Sequence, residues 1–351
     1  MPETGNLSTS TFVLISLVKI AIMLWFLLTA VAYAVWLERK LVGRIQNRWG
    51  PTRVGPFGLL QPLADGLKFI LKEDLTPPYA HRFLYVIAPM IAVGTALVSI
   101  ALIPIGPWVE INGIRTPLQI TDTNVSLLII LGISSVSVYG IALAGWASNS
   151  KYSLLGALRA SAQMVSYELA LGLSLIGVLI FSGTFSLYGI VESQQETWFG
   201  FLPKWNIFRG QIVAFFVFVC AAFAETNRIP FDLPEAETEL VAGYHTEYSA
   251  MKFAMFFMAE YAAMFTVAFL TSILFLGGWQ GPVFGPVWMQ ALLPVFWLFL
   301  RVFLFLFLYI WIRGTLPRFR YDQLMAFGWK VLLPLAIANV VVTSFFVALS
   351  A

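Results

Sequence analysis

Residues 289–312, MQALLPVFWLFLRVFLFLFLYIWI, form an apolar run interrupted by one cation, Arg301. In a helix it is long enough to cross the hydrocarbon layer of a bilayer, which takes about 20 residues. The whole chain has this character, since 59% of its 351 residues are hydrophobic and only 11% are charged. No water-soluble fold hides that much apolar surface, so the sequence predicts a multispanning membrane protein.

Eight runs of this kind predict an all-α protein with eight transmembrane helices. They lie at about 12–36, 84–107, 125–147, 165–190, 208–224, 253–276, 289–312 and 327–349. Of the 21 Lys and Arg residues, 16 fall in the connections after odd-numbered spans. The positive-inside rule assigns those connections to the cytoplasm and both termini to the outside. Residues 1–351 show no boundary or repeat, so we expect a single integral-membrane domain.

The composition also argues against several kinds of site. A net charge of +3, with the bases spread over the loops, gives no support for a nucleic-acid partner. Cys220 is the only cysteine, which excludes a disulfide or a cysteine-based metal site within the chain. His81 and His245 are the only histidines and are far apart in sequence. We predict no metal site, no catalytic side chain and no redox centre in this chain.

The connection after the first span begins with Glu38-Arg39-Lys40 and is broken by glycine and proline at 55–58. From Leu59 to Leu71, apolar residues recur at helical spacing around Asp65 and Lys68, which predicts an amphipathic helix at the membrane surface. Two interpretations of the charges stay open. They anchor the loop on the cytoplasmic side, or the three adjacent charges at the end of the span line a polar mouth.

Carboxylates gather in residues 224–248, AETNRIPFDLPEAETELVAGYHTEY, between the fifth and sixth predicted spans. Six of the chain's 18 acids are here, namely Glu225, Asp232, Glu235, Glu237, Glu239 and Glu247, with one clear cation, Arg228. Acids crowded among apolar side chains repel one another and are partly desolvated, and both effects raise carboxylate pKa values. The segment is therefore predicted to hold protons near neutral pH. The alternative is an ordinary solvated loop.

Charged residues also lie inside the predicted spans. Glu168 falls at the start of the fourth span and Glu260 about two turns into the sixth. An ionisable group in such a place needs a partner, a proton or water, and is a functional candidate by default. With Glu225, these acids predict a buried acidic path from the acid-rich segment into the membrane. Lys19 is expected to snorkel to the outer surface, and Arg301 to pair with a buried acid or a carbonyl.

Several motifs, taken in order along the chain, carry a resemblance to a known family. They are Glu38-Arg39-Lys40 with 46–51 (QNRWGP), 58–65 (GLLQPLAD), 150–152 (SKY), Ala162-Gln163 with Ser166-Tyr167-Glu168, 225–232 (ETNRIPFD), 239–241 (ELV) with Glu247-Tyr248, and 318–322 (RFRYD). With them the chain resembles the quinone-chamber membrane subunit of NADH:quinone oxidoreductase, respiratory complex I, called the H subunit or NADH dehydrogenase subunit one. The family's eight-span topology with outward termini agrees with the count above.

The resemblance implies a subunit of a proton-translocating enzyme, one that forms a quinone chamber and couples quinone reduction to proton translocation through buried carboxylates. The residues implied for the quinone chamber are Glu38, Arg39, Lys40, Arg48, Asp65, Arg228, Phe231, Asp232 and Arg313. Those implied for proton coupling are Glu168, Glu225, Glu235, Glu237, Glu239, Glu247 and Glu260. The chain departs from many members at Ala236, where glycine is common and alanine restricts the backbone.

The resemblance also implies the molecular context. Quinone, such as ubiquinone, is the substrate, this chain binds no cofactor, and iron–sulfur clusters and FMN lie in partner subunits. The implied partners are the peripheral-arm quinone-site and iron–sulfur subunits, the small and antiporter-like membrane subunits, and the lipid bilayer. The implied location is the bacterial cytoplasmic (inner) membrane or an organellar equivalent.

Three alternatives from other classes stay open. The first is a stand-alone ion channel or transporter, and the second is the related membrane subunit of an energy-converting hydrogenase, which uses no quinone. The third is a passive anchor for soluble partners. The well-matched first-loop motif favours the quinone enzyme over the hydrogenase relative. Glu168 and Glu260, buried in a passive anchor, would be costly with no purpose.

Overall fold

The protein is described by a computed structural model that covers residues 9–111, 114–198, 202–232 and 241–350. It is a bundle of helices, as the composition predicts. The helices are α1 (Thr9–Ile45), α2 (Gln61–Leu71), α3 (Arg82–Ala101), α4 (Ser126–Ala147), α5 (Lys151–Ser182), α6 (Leu187–Glu192), α7 (Ile212–Glu225), α8 (Ala250–Phe275), α9 (Val287–Thr315), α10 (Tyr321–Phe327) and α11 (Leu333–Ser350). A π-helical turn, Gly328–Leu332, joins α10 to α11.

Strands within the described ranges are confined to two short antiparallel hairpins. One pairs β1 (Val109–Ile111) with β2 (Ile114–Thr116), and the other pairs β3 (Thr197–Trp198) with β4 (Leu202–Pro203). The sequence patterns give no sign of either hairpin, because each strand is too short to show an alternation of apolar and polar residues.

In the described part of the chain, seven helical segments are long and apolar enough to span a membrane. They are α1, α3, α4, α5, α8, α9 and Tyr321–Leu349, and each overlaps one of the predicted spans. The predicted bounds 165–190 are wrong, because α5 begins at Lys151 and ends at Ser182, after which Gly183 adopts a left-handed φ of 65°. The predicted span 208–224 forms only α7, which has 14 residues, or about 21 Å of helix against a hydrocarbon core of about 30 Å. Residues 206–211 form turns instead, with Gly210 at φ 91°, in the left-handed region where a helix cannot continue.

Helix α5 lies at the centre of the bundle and packs against α4, α7 and α11, while α3 packs against α4 and α8. The segment before α8 approaches α5 closely at Gly156. A Cβ added there would meet the backbone of Gly243 at 2.8 Å and the backbone nitrogen of Tyr244 at 2.9 Å. The missing side chain therefore lets the segment before α8 pack directly on α5, which places Tyr244 inside the bundle.

The connections that carry most of the chain's charge meet at one end of the bundle, which we call the loop end. It comprises 46–81, 148–150, 226–232 with 241–249, and 316–320. The backbone NH of His81 donates to Ala147 O over 2.9 Å, and that of Phe319 donates to Pro230 O over 3.1 Å. Lys252 forms an ion pair with Asp74 over 2.9 Å. These contacts hold otherwise separate connections together.

Helix α2 forms where the spacing of Leu59–Leu71 predicts a helix, and it packs against α1 and α8. None of its residues is buried. Leu63, Leu67, Ile70 and Leu71 are exposed, while Asp65 turns toward α1. The helix therefore presents an apolar surface on one side and a polar contact on the other.

At the opposite end, the two cations found inside spans have defined partners. Lys19 was expected to snorkel to the outer surface, and its ammonium donates to Thr116 Oγ1 over 2.5 Å and to Pro117 O over 2.9 Å. Arg301 donates to the carbonyls of Gly278 and Gln280, which are partners of one of the two kinds expected for it.

Candidate functional site

Two cavities adjoin each other at the loop end. The larger, which we call the chamber, has a volume of about 580 Å³ and lies between α1, α2 and α8. The smaller, the apolar crevice, has about 380 Å³ and lies between α1, α8 and α9. Trp36, Glu38 and Tyr261 are in the walls of both. Volumes of this size fall in the range of small-molecule sites, about 300–1,000 Å³.

The end of α1 supplies the polar wall of the chamber. Successive residues on a helix point about 100° apart, so Glu38 and Arg39 face different neighbours. Arg39 pairs with Asp65 of α2 over 2.7 Å. Glu38 points into the bundle and is only 8% exposed. A carboxylate buried to this extent is tolerated only when cations and donors surround it.

Glu38 meets that requirement in a charge cluster formed with Arg228, Glu260, Tyr261 and Arg313. Arg313 of α9 donates to Glu38 Oε1, and the Tyr261 hydroxyl donates to Glu38 Oε2 over 2.8 Å. Arg228 lies 3.8 Å from Glu38 and 3.8 Å from Glu260, and its guanidinium stacks 4.2 Å above the Tyr261 ring. The two guanidinium groups balance the two carboxylates, so the cluster is neutral as a whole.

Arg228 is the element of the cluster that connects two parts of the molecule. Its partner Glu38 lines the chamber, whereas its partner Glu260 lines a third cavity, the inner cavity. The backbone that carries Arg228 is fixed by Gln163 of α5, whose amide donates to Ala224 O over 2.8 Å and to Phe231 O over 2.7 Å. These bonds hold the backbone on either side of Arg228 in place, and the guanidinium lies between the two acids.

The inner cavity has a volume of about 90 Å³ and lies among α3, α4, α5, α7 and α8. Its polar wall residues are Thr95, Ser99, Ser134, Ser137, Glu225, Thr226, Asn227, Tyr244, Glu260 and Thr266. The hydroxyl of Tyr244 donates to Glu260 Oε1 over 3.1 Å. This cavity brings together two of the predicted proton-coupling acids, Glu225 and Glu260.

Glu168 lies on the outer side of this region, between α5 and α4. It accepts a hydrogen bond from Ser135 and interacts electrostatically with Glu225. Its side chain is only half-buried in this chain. The surface around it is apolar, with Val165 52% and Leu169 49% exposed. Glu168 therefore stands where the acidic groups reach the side of the bundle.

The other predicted chamber residues occupy different positions at the loop end. Lys40 lies 5.8 Å from the Trp36 ring, and exposed Arg48 bonds Gln46 over 2.8 Å. Asp232 is buried and pairs with Arg318 over 3.1 Å. Phe231 packs against the rings of Tyr167, Phe319 and Phe327. In the described part, none of the four lies in the wall of the chamber.

Of the remaining predicted coupling acids, Glu247 lies in the loop before α8, where its backbone carbonyl accepts a 2.6 Å hydrogen bond from Tyr85. Next to it, Tyr248 stacks on the Tyr85 ring at 4.1 Å. Burial raises the pKa of the Tyr248 phenol above its usual range, so that hydroxyl stays neutral. Glu235, Glu237 and Glu239, with Ala236, lie outside the described residues.

Sequence reasoning missed Tyr244 and Tyr261, which donate to the two acids of the charge cluster. The available signal was a polar phenol next to an acid in an apolar span, as in Glu260-Tyr261. Ser135 was missed as well, because serine is common in membrane helices. Among the described residues, no group of three or more His, Cys, Asp or Glu side chains is placed to hold a metal ion.

Comparison with known proteins bears on the whole chain. Residues 18–344 match the family model described as NADH dehydrogenase. The chain is 68% identical to an H subunit, numbered 2, of the NADH-quinone oxidoreductase of Koribacter versatilis, over 97% of this chain and 99% of that protein. It is 52% identical to the H subunit of the Thermomicrobium roseum NADH-quinone oxidoreductase, over 92% and 93% respectively. These matches confirm the resemblance drawn from the loop motifs, and the chain belongs to the NADH dehydrogenase family.

Proposed function

We propose that this chain is the H-type membrane subunit of a proton-pumping NADH:quinone oxidoreductase, in which it forms the quinone chamber and passes the effect of quinone reduction to a buried acid network. The observation that carries the proposal is Arg228, which lies 3.8 Å from Glu38 in the chamber wall and 3.8 Å from Glu260 in the inner cavity. The names of the relatives also support the quinone enzyme over the hydrogenase and transporter alternatives.

The shapes of the two adjoining cavities suit a quinone, which has a polar head and a long apolar tail. The crevice is walled mainly by apolar side chains such as Phe265, Val302 and Leu306. The chamber adds Arg39, Asp65 and Arg313. We infer that the tail occupies the crevice while the head group lies toward the chamber, near Glu38 and Tyr261, which both cavities share.

In this proposal the chain takes little direct part in the electron transfer itself. Iron–sulfur clusters held by peripheral-arm partners would supply the electrons, with FMN further upstream. The chain's own residues bind the quinone and respond to it. Negative charge formed in the chamber attracts Arg313 and Arg228, which in the resting arrangement balance Glu38 and Glu260. A shift of Arg228 toward the chamber weakens its interaction with Glu260, and the balance of charge in the inner cavity changes.

The acids that line the inner cavity then respond to this change in charge balance. Glu260 and Glu225 line the same space, and Glu225 interacts with Glu168 at the side of the bundle. Acids coupled in this way exchange protons as a group rather than one by one. We infer that Glu168 marks the exit toward a neighbouring membrane subunit, where exposed Gly132 of α4 allows close approach of a partner helix.

The same proposal implies an orientation of the chain in the membrane. We infer that α7 and the turns before it together make an eighth crossing, that both termini face outward, and that the loop end faces the cytoplasm. The exposed apolar side of α2 would rest on the membrane surface. The host membrane would be the bacterial cytoplasmic membrane or its organellar equivalent, and the loop end would dock the peripheral arm.

The experiment that tests the proposal is purification of the tagged chain in mild detergent, identification of every copurifying protein, and an inhibitor-sensitive NADH:quinone assay on the material. Recovery of iron–sulfur and antiporter-like subunits together with that activity is the expected result. Nickel–iron hydrogenase subunits in their place would move the chain to the hydrogenase relative. A chain recovered alone that conducts ions would refute the proposal.

A further inference from the structure

Asn227 lies two residues beyond Glu225, the last residue of α7, and is also a wall residue of the inner cavity. It is 5% exposed, and its backbone is in the left-handed region at φ 51°. Asparagine tolerates this conformation better than most residues. Its presence at the end of α7 therefore has a backbone explanation, which has to be separated from any role of the side chain.

The protein satisfies only part of the hydrogen-bonding capacity of the Asn227 side-chain amide. Its Nδ2 lies 3.7 Å from the sulfur of Met164, a weak acceptor. Its Oδ1 is buried and accepts no hydrogen bond within the described ranges. A buried carbonyl without a donor bears the full cost of desolvation, so the backbone explanation does not account for this oxygen. A glycine would supply the same φ without that cost.

A donor for Oδ1 is available if the inner cavity holds water. Its volume of about 90 Å³ exceeds the ~10–15 Å³ that one water molecule needs, so it has room for water. A buried water needs two to four polar partners, and Glu225, Thr226, Tyr244 and Glu260 line the same cavity. Water can donate to the carbonyl and still donate to, or accept from, a carboxyl group. A cation would instead favour several charged ligands.

We propose that Asn227 is a positioning residue that anchors ordered water between Glu225 and Glu260, so that protons pass between the two acids through that water. This inference rests on the proposed function, because it assigns a carrier to one step of the acid network. It adds a neutral amide to that network, at a position where the charge pattern alone gives no reason to look.

The test uses the whole complex, reconstituted in vesicles, with Asn227→Gly as the main variant. Glycine keeps the left-handed backbone and removes the carbonyl acceptor. Asn149 is the matched control, since it has φ 50° but an exposed side chain at the loop end, and Asn149→Gly leaves the inner cavity untouched. Proton pumping and NADH:quinone turnover are measured in H₂O and in D₂O, and the KM for quinone is determined.

We expect Asn227→Gly to lower coupled turnover roughly 10-fold to 100-fold, at or below the contribution of a proton-transfer group. The KM for quinone stays unchanged and the slowing in D₂O grows, which a purely structural role would not produce. Asn149→Gly matches the unmodified complex. Normal pumping with a normal isotope effect in Asn227→Gly overturns the proposal. A uniform loss of activity without a changed isotope effect also overturns it, since that is a structural effect.

A second measurement covers the case in which Asn227→Gly fails to assemble. High-resolution cryo-EM of the unmodified complex is expected to reveal water density within hydrogen-bond distance of Asn227 Oδ1, and absence of such density in a well-ordered map refutes the site. Glu225→Gln separates this inference from the proposed function. If Glu225→Gln pumps normally, the acid network itself fails. If only Asn227→Gly pumps normally, the water site fails and the network stands.

Discussion

Replacing Arg228 with methionine tests the central feature of the charge cluster. The substitution keeps an apolar side chain over the Tyr261 ring and removes the cation that lies 3.8 Å from both Glu38 and Glu260. Glu38 keeps Arg313, whereas Glu260 loses this cation and keeps the hydroxyl of Tyr244. The substitution therefore takes a cation from Glu260, while it leaves Glu38 its pair with Arg313.

The size of the effect follows from the distances. Two unit charges 3.8 Å apart interact by roughly 4 kcal/mol at an effective dielectric constant of about 20. Removing one partner of a buried pair costs about 3–5 kcal/mol, because the remaining charge stays desolvated. We expect Arg228→Met to destabilise the assembled complex by this amount. Adding Glu260→Gln removes the carboxylate that has lost this cation and is expected to restore most of the loss.

The assay is the thermal half-inactivation of inhibitor-sensitive NADH:quinone activity in membranes, read for both single variants and for the double variant. Lys204→Met is the control, since Lys204 pairs over 2.5 Å with the exposed Glu196 and exposed pairs contribute little. The assigned role of Arg228 is refuted if Arg228→Met inactivates at the same temperature as the unmodified complex. It is refuted equally if Glu260→Gln brings no recovery in the double variant.

The packing and the cavities support three further predictions. Gly156→Ala puts a Cβ 2.8 Å from the Gly243 backbone, so we expect it to displace Tyr244 and lower quinone reductase activity. Gly172→Ala is the control, because an added Cβ there has nothing within 4 Å and should leave the activity unchanged. Equal activity in the two variants would contradict the packing role of Gly156. Ala34→Phe narrows the apolar crevice and should raise the KM for long-chain quinones more than the KM for short-chain analogues. Leu304→Phe, on the exposed side of α9, is the control and should change neither KM. The raised pKa of Tyr248 means that its phenol stays neutral in the folded chain while the unfolded chain ionises above about pH 10. The stability of the folded chain is therefore lost as pH rises past that point. The Tyr248→Phe variant should resist alkaline inactivation better than the unmodified complex. Equal resistance of the two would count against the burial of the Tyr248 hydroxyl.

The helical part of the fold is predictable because long apolar runs leave the chain no other way to satisfy its backbone. The stretch 289–312 and its counterparts form helices close to where hydropathy places them. The exceptions are 165–190, where the helix runs from Lys151 to Ser182, and 208–224, where the helix begins only after Gly210. Gly210 lies between Arg209 and Gln211 in the sequence, and its φ of 91° marks the boundary in the structure.

The site is less predictable, because charge partners are set by packing. Glu38 and Arg313 are 275 residues apart, and no periodicity joins them. The sequence identifies Glu260 as a candidate because it is a charge inside a span. It indicates Glu38 and Arg228 as chamber residues through the resemblance of the loop motifs. It cannot show that Arg228 lies between the other two. Lys19 illustrates the same limit, because its partner Thr116 comes from a hairpin that hydropathy does not reveal.

The half-buried position of Glu168 has a consequence for biogenesis. A carboxylate on the side of a helix bundle, with Ser135 donating to it, is expensive in contact with lipid. The newly inserted chain is therefore an incomplete membrane protein until a neighbouring helix covers that side. In the proposed function Glu168 takes part in coupling, and the same acid penalises the unassembled chain. We therefore expect a short lifetime for the chain alone in the membrane, and we expect the arrival of its neighbour to set the order in which the complex is built.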